Sequence, residues 1–234
     1  MKLLVALLCG GLWLTPARAD WFLSDAVKAT IAKAEAGDVQ AQFRVANAYD
    51  FGKGAPHDED VALQWYRKAA EQGHVEAMNS IGSLLQAQKR YAEARSWFEK
   101  AAAHGHALAT NNLAYLYDLG LGVSQDRQRG FELYTKAADL GWAEAMWNLA
   151  NMYGAGQVGP VDLGMACVWT YRAERYAQPG DRVLRKRLAQ VKPQLLKALS
   201  DEQLDTCLKQ YEAWTPHGSE PVSPSAGVFE SFWI

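Results

Sequence analysis

Basic residues are not in excess in this chain. Its 234 residues hold 24 Lys and Arg against 26 Asp and Glu, a formal net charge of −2. Without a basic stripe there is no electrostatic footprint for nucleic acid and no polybasic patch for anionic lipid. Cysteine is scarce: Cys9, Cys167 and Cys207 are the only three. None sits in a CxxC pair or beside a histidine at metal-ligand spacing, which argues against a zinc site. Beyond the N-terminus no apolar run is long enough for a membrane helix. The signatures GxSxG, HExxH and the phosphate loop are missing, as is a serine in SxxK. The single close histidine pair, His104-x-His106, has no third ligand in sight and reads as two solvent-facing turn residues. The sequence therefore points to no enzyme, cofactor or metal.

The N-terminus has the build of a secretory signal peptide. Lys2 supplies the positive end, residues 3–14 an apolar run too short to span a bilayer, and Ala17-Arg18-Ala19 a small-x-small cleavage site. Cleavage after Ala19 predicts an exported, periplasmic location. A lipoprotein would use Cys9, but Leu8 stands before it where a small residue is expected. Cleavage removes Lys2 and Arg18 and no acid, which leaves 22 basic against 26 acidic residues and a net charge of −4. Cys167 and Cys207 then remain. In an oxidising compartment they either form a disulfide, worth about 4 kcal/mol for a loop of this length, or stay as buried thiols.

Tryptophan is plentiful, with nine residues, and 49% of the chain is apolar. Lys68-Ala69-Ala70-Glu71-Gln72-Gly73 returns as Lys100-Ala101-Ala102-Ala103-His104-Gly105 and as Lys136-Ala137-Ala138-Asp139-Leu140-Gly141. Counting from an anchor alanine aligns four units: Ala41, Ala77, Ala109 and Ala145, at intervals of 36, 32 and 36. A large–small pair follows at +4 and +5 (Val45-Ala46, Ile81-Gly82, Leu113-Ala114, Leu149-Ala150) and Tyr49, Leu85, Tyr117 and Tyr153 at +8. These positions make one apolar stripe of a helix. A Gly-x-Gly turn (Gly52 and Gly54, Gly120 and Gly122) ends that helix, and Asp58, Asp126 and Asp162 are placed to cap the next. The second unit is four residues short in this loop and lacks the glycine pair.

A period of 32 to 36 with two helices per unit predicts an all-α fold, a solenoid of helix-turn-helix repeats. The pattern Ala-x3-large-small-x2-Tyr-x2-Gly-x-Gly, then Asp-x3-Ala-x2-Trp-Tyr-x2-Ala-Ala-x2-Gly, resembles the Sel-1-like repeat, a relative of the tetratricopeptide repeat. The resemblance covers residues 37–176, divided as 37–72, 73–104, 105–140 and 141–176. It implies a right-handed α/α solenoid. A leading cap helix is expected within residues 20–36, from Trp21 to Glu35. Capping helices are expected over 177–214, the first kinked or restarted at Pro193 and the last opened by a capping box at Ser200. Residues 215–226 read as a Pro/Ser linker, and the aromatic segment 228–234 either docks on the solenoid or engages a partner.

A second row runs along each first helix at +2, +6 and +9. It comprises Phe43, Asn47 and Asp50; Asn79, Ser83 and Gln86; Asn111, Tyr115 and Asp118; and Trp147 and Asn151, with Gly154 last. In tetratricopeptide-like solenoids the first helices line the concave face, so the resemblance implies that this row is an inner groove. Aromatic anchors among amides, with no Lys or Arg, suit a polypeptide ligand. The opposing expectation is that Phe43, Tyr115 and Trp147 wedge between helices and only pack. Sel-1-like proteins serve mainly as adaptors, assembly factors and regulators, and some exported ones as immunity proteins against type VI effectors such as phospholipases. The resemblance therefore implies a non-enzymatic binder of a protein partner. A β-lactamase-like activity fits poorly, since the relatives linked with it carry a cysteine pair in every repeat. Cell-wall binding stays open, because aromatics and amides also recognise sugars.

Overall fold

The structure is a computed structural model that describes residues 23–216. The signal peptide with Cys9 and its cleavage position, Trp21, and the aromatic segment 228–234 lie outside the described residues. The described residues form eleven helices and no strand. The chain divides into two compact units, residues 1–74 and 75–234.

The first unit holds α1 (Asp25–Glu35), α2 (Val39–Phe51) and α3 (Glu59–Glu71). Within the described residues the leading helix starts at Asp25, where the Ser24 hydroxyl accepts from Val27 N–H and so defines its first turn. Asp38 caps α2 in the same way at 2.7 Å and Asp58 caps α3 at 3.0 Å. Ala34, Ala41 and Val45 are buried together, with Ile31, Tyr49 and Trp65 packed against them. Gly54 shows why the turn needs its second glycine. It has φ +76°, and a Cβ there would stand 2.6 Å from Ser24 Oγ.

The second unit holds α4 (Val75–Ala87), α5 (Tyr91–Ala103), α6 (Ala107–Leu119), α7 (Arg127–Asp139), α8 (Ala143–Gly154) and α9 (Leu163–Tyr176), three helix pairs in succession. Two further helices follow, α10 (Arg182–Ala198) and α11 (Asp201–Glu212). The expected stripe is the core: Ala77, Ile81, Leu85, Ala109, Leu113, Ala114, Ala145, Leu149 and Ala150 are all buried. Asp126 and Asp162 cap α7 and α9, each at 2.8 Å. The short second loop solves its turn without glycine: Lys89 itself adopts φ +60°, a conformation that costs an L-residue about 1 kcal/mol. Gly82 admits a neighbour closely, since a Cβ there would meet Phe98 Cε1 at 2.5 Å.

The C-terminal helices cover the end of α9. Cys167 on α9 and Cys207 on α11 form a disulfide, with Cα atoms 6.0 Å apart. Val168 is buried beside it, with Met165, Tyr171, Leu195, Leu199 and Leu204 around. α10 runs through Pro193 as one helix instead of restarting there. Ser200 and Gln203 complete the capping box of α11, which ends at Glu212.

Candidate functional site

In the first unit the row lies on α2 and is largely closed in. The Tyr66 hydroxyl of α3 contacts Asn47 Oδ1 at 2.5 Å and Asp50 Oδ2 at 2.9 Å. The Phe43 ring stacks on His74, with centroids 4.4 Å apart, and tilts against Tyr66. Phe43 and Asn47 are buried. Asp50 is half-buried. Desolvation raises its carboxyl pKa above the ordinary value, and the Tyr66 hydrogen bond partly offsets that rise.

In the second unit the three rows split by depth. At +2, Asn79, Asn111 and Trp147 are buried. Asn112 donates to Asn79 Oδ1 at 3.4 Å and Asn148 donates to Asn111 Oδ1 at 3.2 Å. Position +3 of one repeat thus serves +2 of the repeat before it. The +6 residues Ser83, Tyr115 and Asn151 are exposed, and Gln86, Asp118 and Gly154 at +9 are half-buried. The structure therefore brings Ser83, Tyr115 and Asn151 to the surface and places Phe43, Asn47, Asn79, Asn111 and Trp147 beneath it.

Position +10 adds members that the sequence reading missed. On α4 and α6 the exposed positions are +6 and +10 alone, Ser83 with Ala87 and Tyr115 with Leu119. On α8 Asn151 is exposed, followed by Ala155 at its C-cap. The signal was available, since +10 is one helical turn beyond +6. None of these six residues is charged. Of the nearby charges, Glu144 pairs with Arg187 at 2.8 Å, whereas Asp118 meets Arg127 Nε at the longer distance of 3.9 Å. Burial raises the Asp118 carboxyl pKa and Arg127 opposes the rise.

His106 departs from expectation. It is half-buried, and its Nδ1 accepts from Ala109 N–H at 3.1 Å, so it is the N-cap of α6 rather than a solvent-facing residue. Burial lowers its pKa. Among the described residues no three His, Cys, Asp or Glu side chains gather as a metal site. A cleft of about 520 Å³ lies beside the fourth repeat's loop, between Tyr153, Pro160, Val161 and Gln203, and includes none of the row residues.

A family model for the Sel1 repeat matches residues 39–74, 75–106, 107–142 and 143–175, four consecutive copies over more than half of the chain. The chain belongs to the Sel1 repeat family. Each matched copy opens at or beside a first helix, from α2 to α8. A Sel1 repeat protein from Oxalobacter formigenes is 29% identical, with a TM-score of 0.67 over 82% of this chain and 78% of that one. The crystal structure of c5321, a protective antigen of uropathogenic Escherichia coli with an SLR fold, is 27% identical with a TM-score of 0.71, over 80% of this chain and 40% of that one. An exopolysaccharide production negative regulator of Rhizobium meliloti is 27% identical over 160 residues, 67% of this chain. This Sel1 chain spans about half the length (52%) of that curated relative. No helix among the described residues is long and apolar enough to cross a membrane.

Proposed function

We propose that this Sel1 repeat chain is an exported, non-enzymatic protein that binds a protein partner through the exposed face of its first helices, in an adaptor, assembly or regulatory role. One observation carries the reading. In the second unit the same two register positions, +6 and +10, come to the surface on three successive first helices, and all six residues are uncharged. Tyr115 and Leu119 at the centre are large and apolar, with small residues on both sides. That composition resembles the anchor and surround of a protein interface. Regulation accords with the printed role of the Rhizobium relative. Export accords with the Lys2-to-Ala19 signal pattern and with the Cys167–Cys207 disulfide, since such bonds persist in oxidising compartments.

The test places a photo-crosslinking amino acid at Ser83 or Asn151 and, separately, at exposed Glu132 on α7, in the producing cell. One discrete crosslinked protein from Ser83 and Asn151, and none from Glu132, is the expected result. Equal labelling from all three positions refutes the surface. The captured protein's identity separates roles: an antibacterial effector selects immunity, a polysaccharide or secretion component selects assembly or regulation. Retention of the chain on purified peptidoglycan, with no protein captured, would replace this reading with cell-wall binding.

A further inference from the structure

The first and third repeats carry related residues at the same register, and the two sites are finished differently. In the first, Tyr66 on the second helix contacts Asp50 at +9 and Asn47 at +6, so the carboxylate is closed in by its own chain. The third has Tyr134, Asp118 and Tyr115 at those positions. Asp118 lies over α7, where a Cβ on Gly130 would meet Asp118 Cβ at 3.1 Å. Tyr134, one turn beyond Gly130 on the same helix, is buried. The closing step is missing, however. Tyr115 replaces the buried asparagine and stands 41% exposed, and Leu119, one turn on, is 47% exposed. Among the described residues, the ion pair of the Asp118 carboxylate is the 3.9 Å approach of Arg127 Nε, whose own side chain is half exposed. That distance is long for a charge-assisted hydrogen bond.

The geometry points to a receiving site for one lysine or arginine side chain of the protein partner, built from Tyr115, Asp118 and Leu119. A basic side chain needs two surfaces. Its aliphatic stem needs an apolar bed, which Tyr115 and Leu119 supply. Its charged end needs an anion at the end of that bed, and Asp118 supplies it one helical turn or less from both. The Tyr115 ring can add a cation–π contact. Ser83, Ala87, Asn151 and Ala155 put no competing charge on either side. In the first repeat the same carboxylate position cannot serve, since Tyr66 already holds Asp50. The inference rests on the proposed use of this face and names the side chain it takes.

The probes are the peptides acetyl-Ala-Lys-Ala-amide, its arginine counterpart and its norleucine counterpart, titrated into the full chain. The readouts are the NMR signals of the Tyr115 ring and the Asp118 carboxyl carbon. The Lys and Arg peptides are expected to shift both signals saturably and to bind at least fivefold tighter than the norleucine peptide. Asp118→Asn should remove that preference, Tyr115→Ala should weaken all three peptides, and Glu132→Gln should change nothing. If Asp118→Asn does not fold, the native chain in 0.5 M NaCl serves instead, where screening should weaken the Lys and Arg peptides alone. Equal binding of norleucine, or a preference that survives Asp118→Asn, overturns the basic anchor. Crosslinks from Ser83 and Asn151 would still stand in that case, so failure of the anchor and failure of the binding face are told apart.

Discussion

The side-chain amide of Asn148 donates to Asn111 Oδ1 at 3.2 Å, one repeat away, and Asn112 makes the same contact to Asn79. The acceptors are buried and the donors half-buried. This ladder links successive first helices by side chains, beside the apolar stripe. Asn148→Ala should leave the Asn111 oxygen buried without a donor and cost about 1–2 kcal/mol. Asn112→Ala should cost less, because its bond is longer. Urea unfolding of both variants measures the difference, and an unchanged midpoint for Asn148→Ala would remove the ladder from the account.

Gly122 and Gly105 should respond differently to alanine. Both have positive φ, +65° and +78°. A Cβ on Gly105 meets nothing within 4 Å, whereas one on Gly122 would stand 2.4 Å from Ala92 N and 2.7 Å from Tyr91 C, at the start of α5. Gly105→Ala should therefore cost about 1 kcal/mol, the conformational term alone. Gly122→Ala adds a collision with backbone that cannot rotate aside, and should cost about 3 kcal/mol in total. Thermal unfolding of the pair should rank them in that order.

The helices were legible because their signals are local and repeated four times. Anchor alanines, capping aspartates and turn glycines each do what their spacing implies. The site was harder to read, because depth on a helix depends on what packs across it. Positions +2, +6 and +9 lie on one row of the helix, yet Asn79 and Asn111 are covered while Ser83 and Tyr115 are not. What covers +2 includes the +3 residue of the next repeat, 33 or 37 positions away. Asn47 is buried although Tyr115 at the same register is exposed, because Tyr66 contacts the shorter side chain. His106 was misread for a related reason: a histidine ring is an unusual N-cap, and its spacing resembles that of a free turn residue.

His106 predicts a pH dependence with a definite sign. Its Nδ1 can accept from Ala109 only when that nitrogen carries no proton, and burial lowers its pKa from 6.5, with Glu76 partly opposing. Above the unfolded value both states are neutral and the cap is intact. As pH falls below it the unfolded chain takes up a proton that the folded chain resists, so stability is lost down to the folded pKa. One proton gives a limiting slope of about 1.4 kcal/mol per pH unit, and partial exposure of the ring keeps the measured slope below it. His106→Asn keeps a capping acceptor and removes the titration. Stability measured at pH 7.5 and 5.5 should fall more for the native chain than for this variant. Equal falls would remove His106 as the source.

Arg172 fastens the C-terminal segment to the last repeat. Its guanidinium lies 4.5 Å from the Trp169 ring and 4.4 Å from the Trp214 ring, and Nη2 donates to the Gln210 carbonyl at 3.0 Å, at the end of α11. The side chain is buried, its Nε has no hydrogen-bond partner, and desolvation pushes its pKa down to about 10 against the opposing charge of Asp139. A cation held this way gains from two aromatic faces and a helix C-terminus but bears a desolvation cost. Arg172→Met fills the same space without that cost and should stay within about 1 kcal/mol of the native chain. Arg172→Ala empties the slot between two indoles and should cost about 2–3 kcal/mol. The Cys167–Cys207 bond holds α11 in both variants, so the loss should appear first as faster proteolysis of the segment beyond Gln210. If methionine proves as damaging as alanine, the charge rather than the packing secures this end.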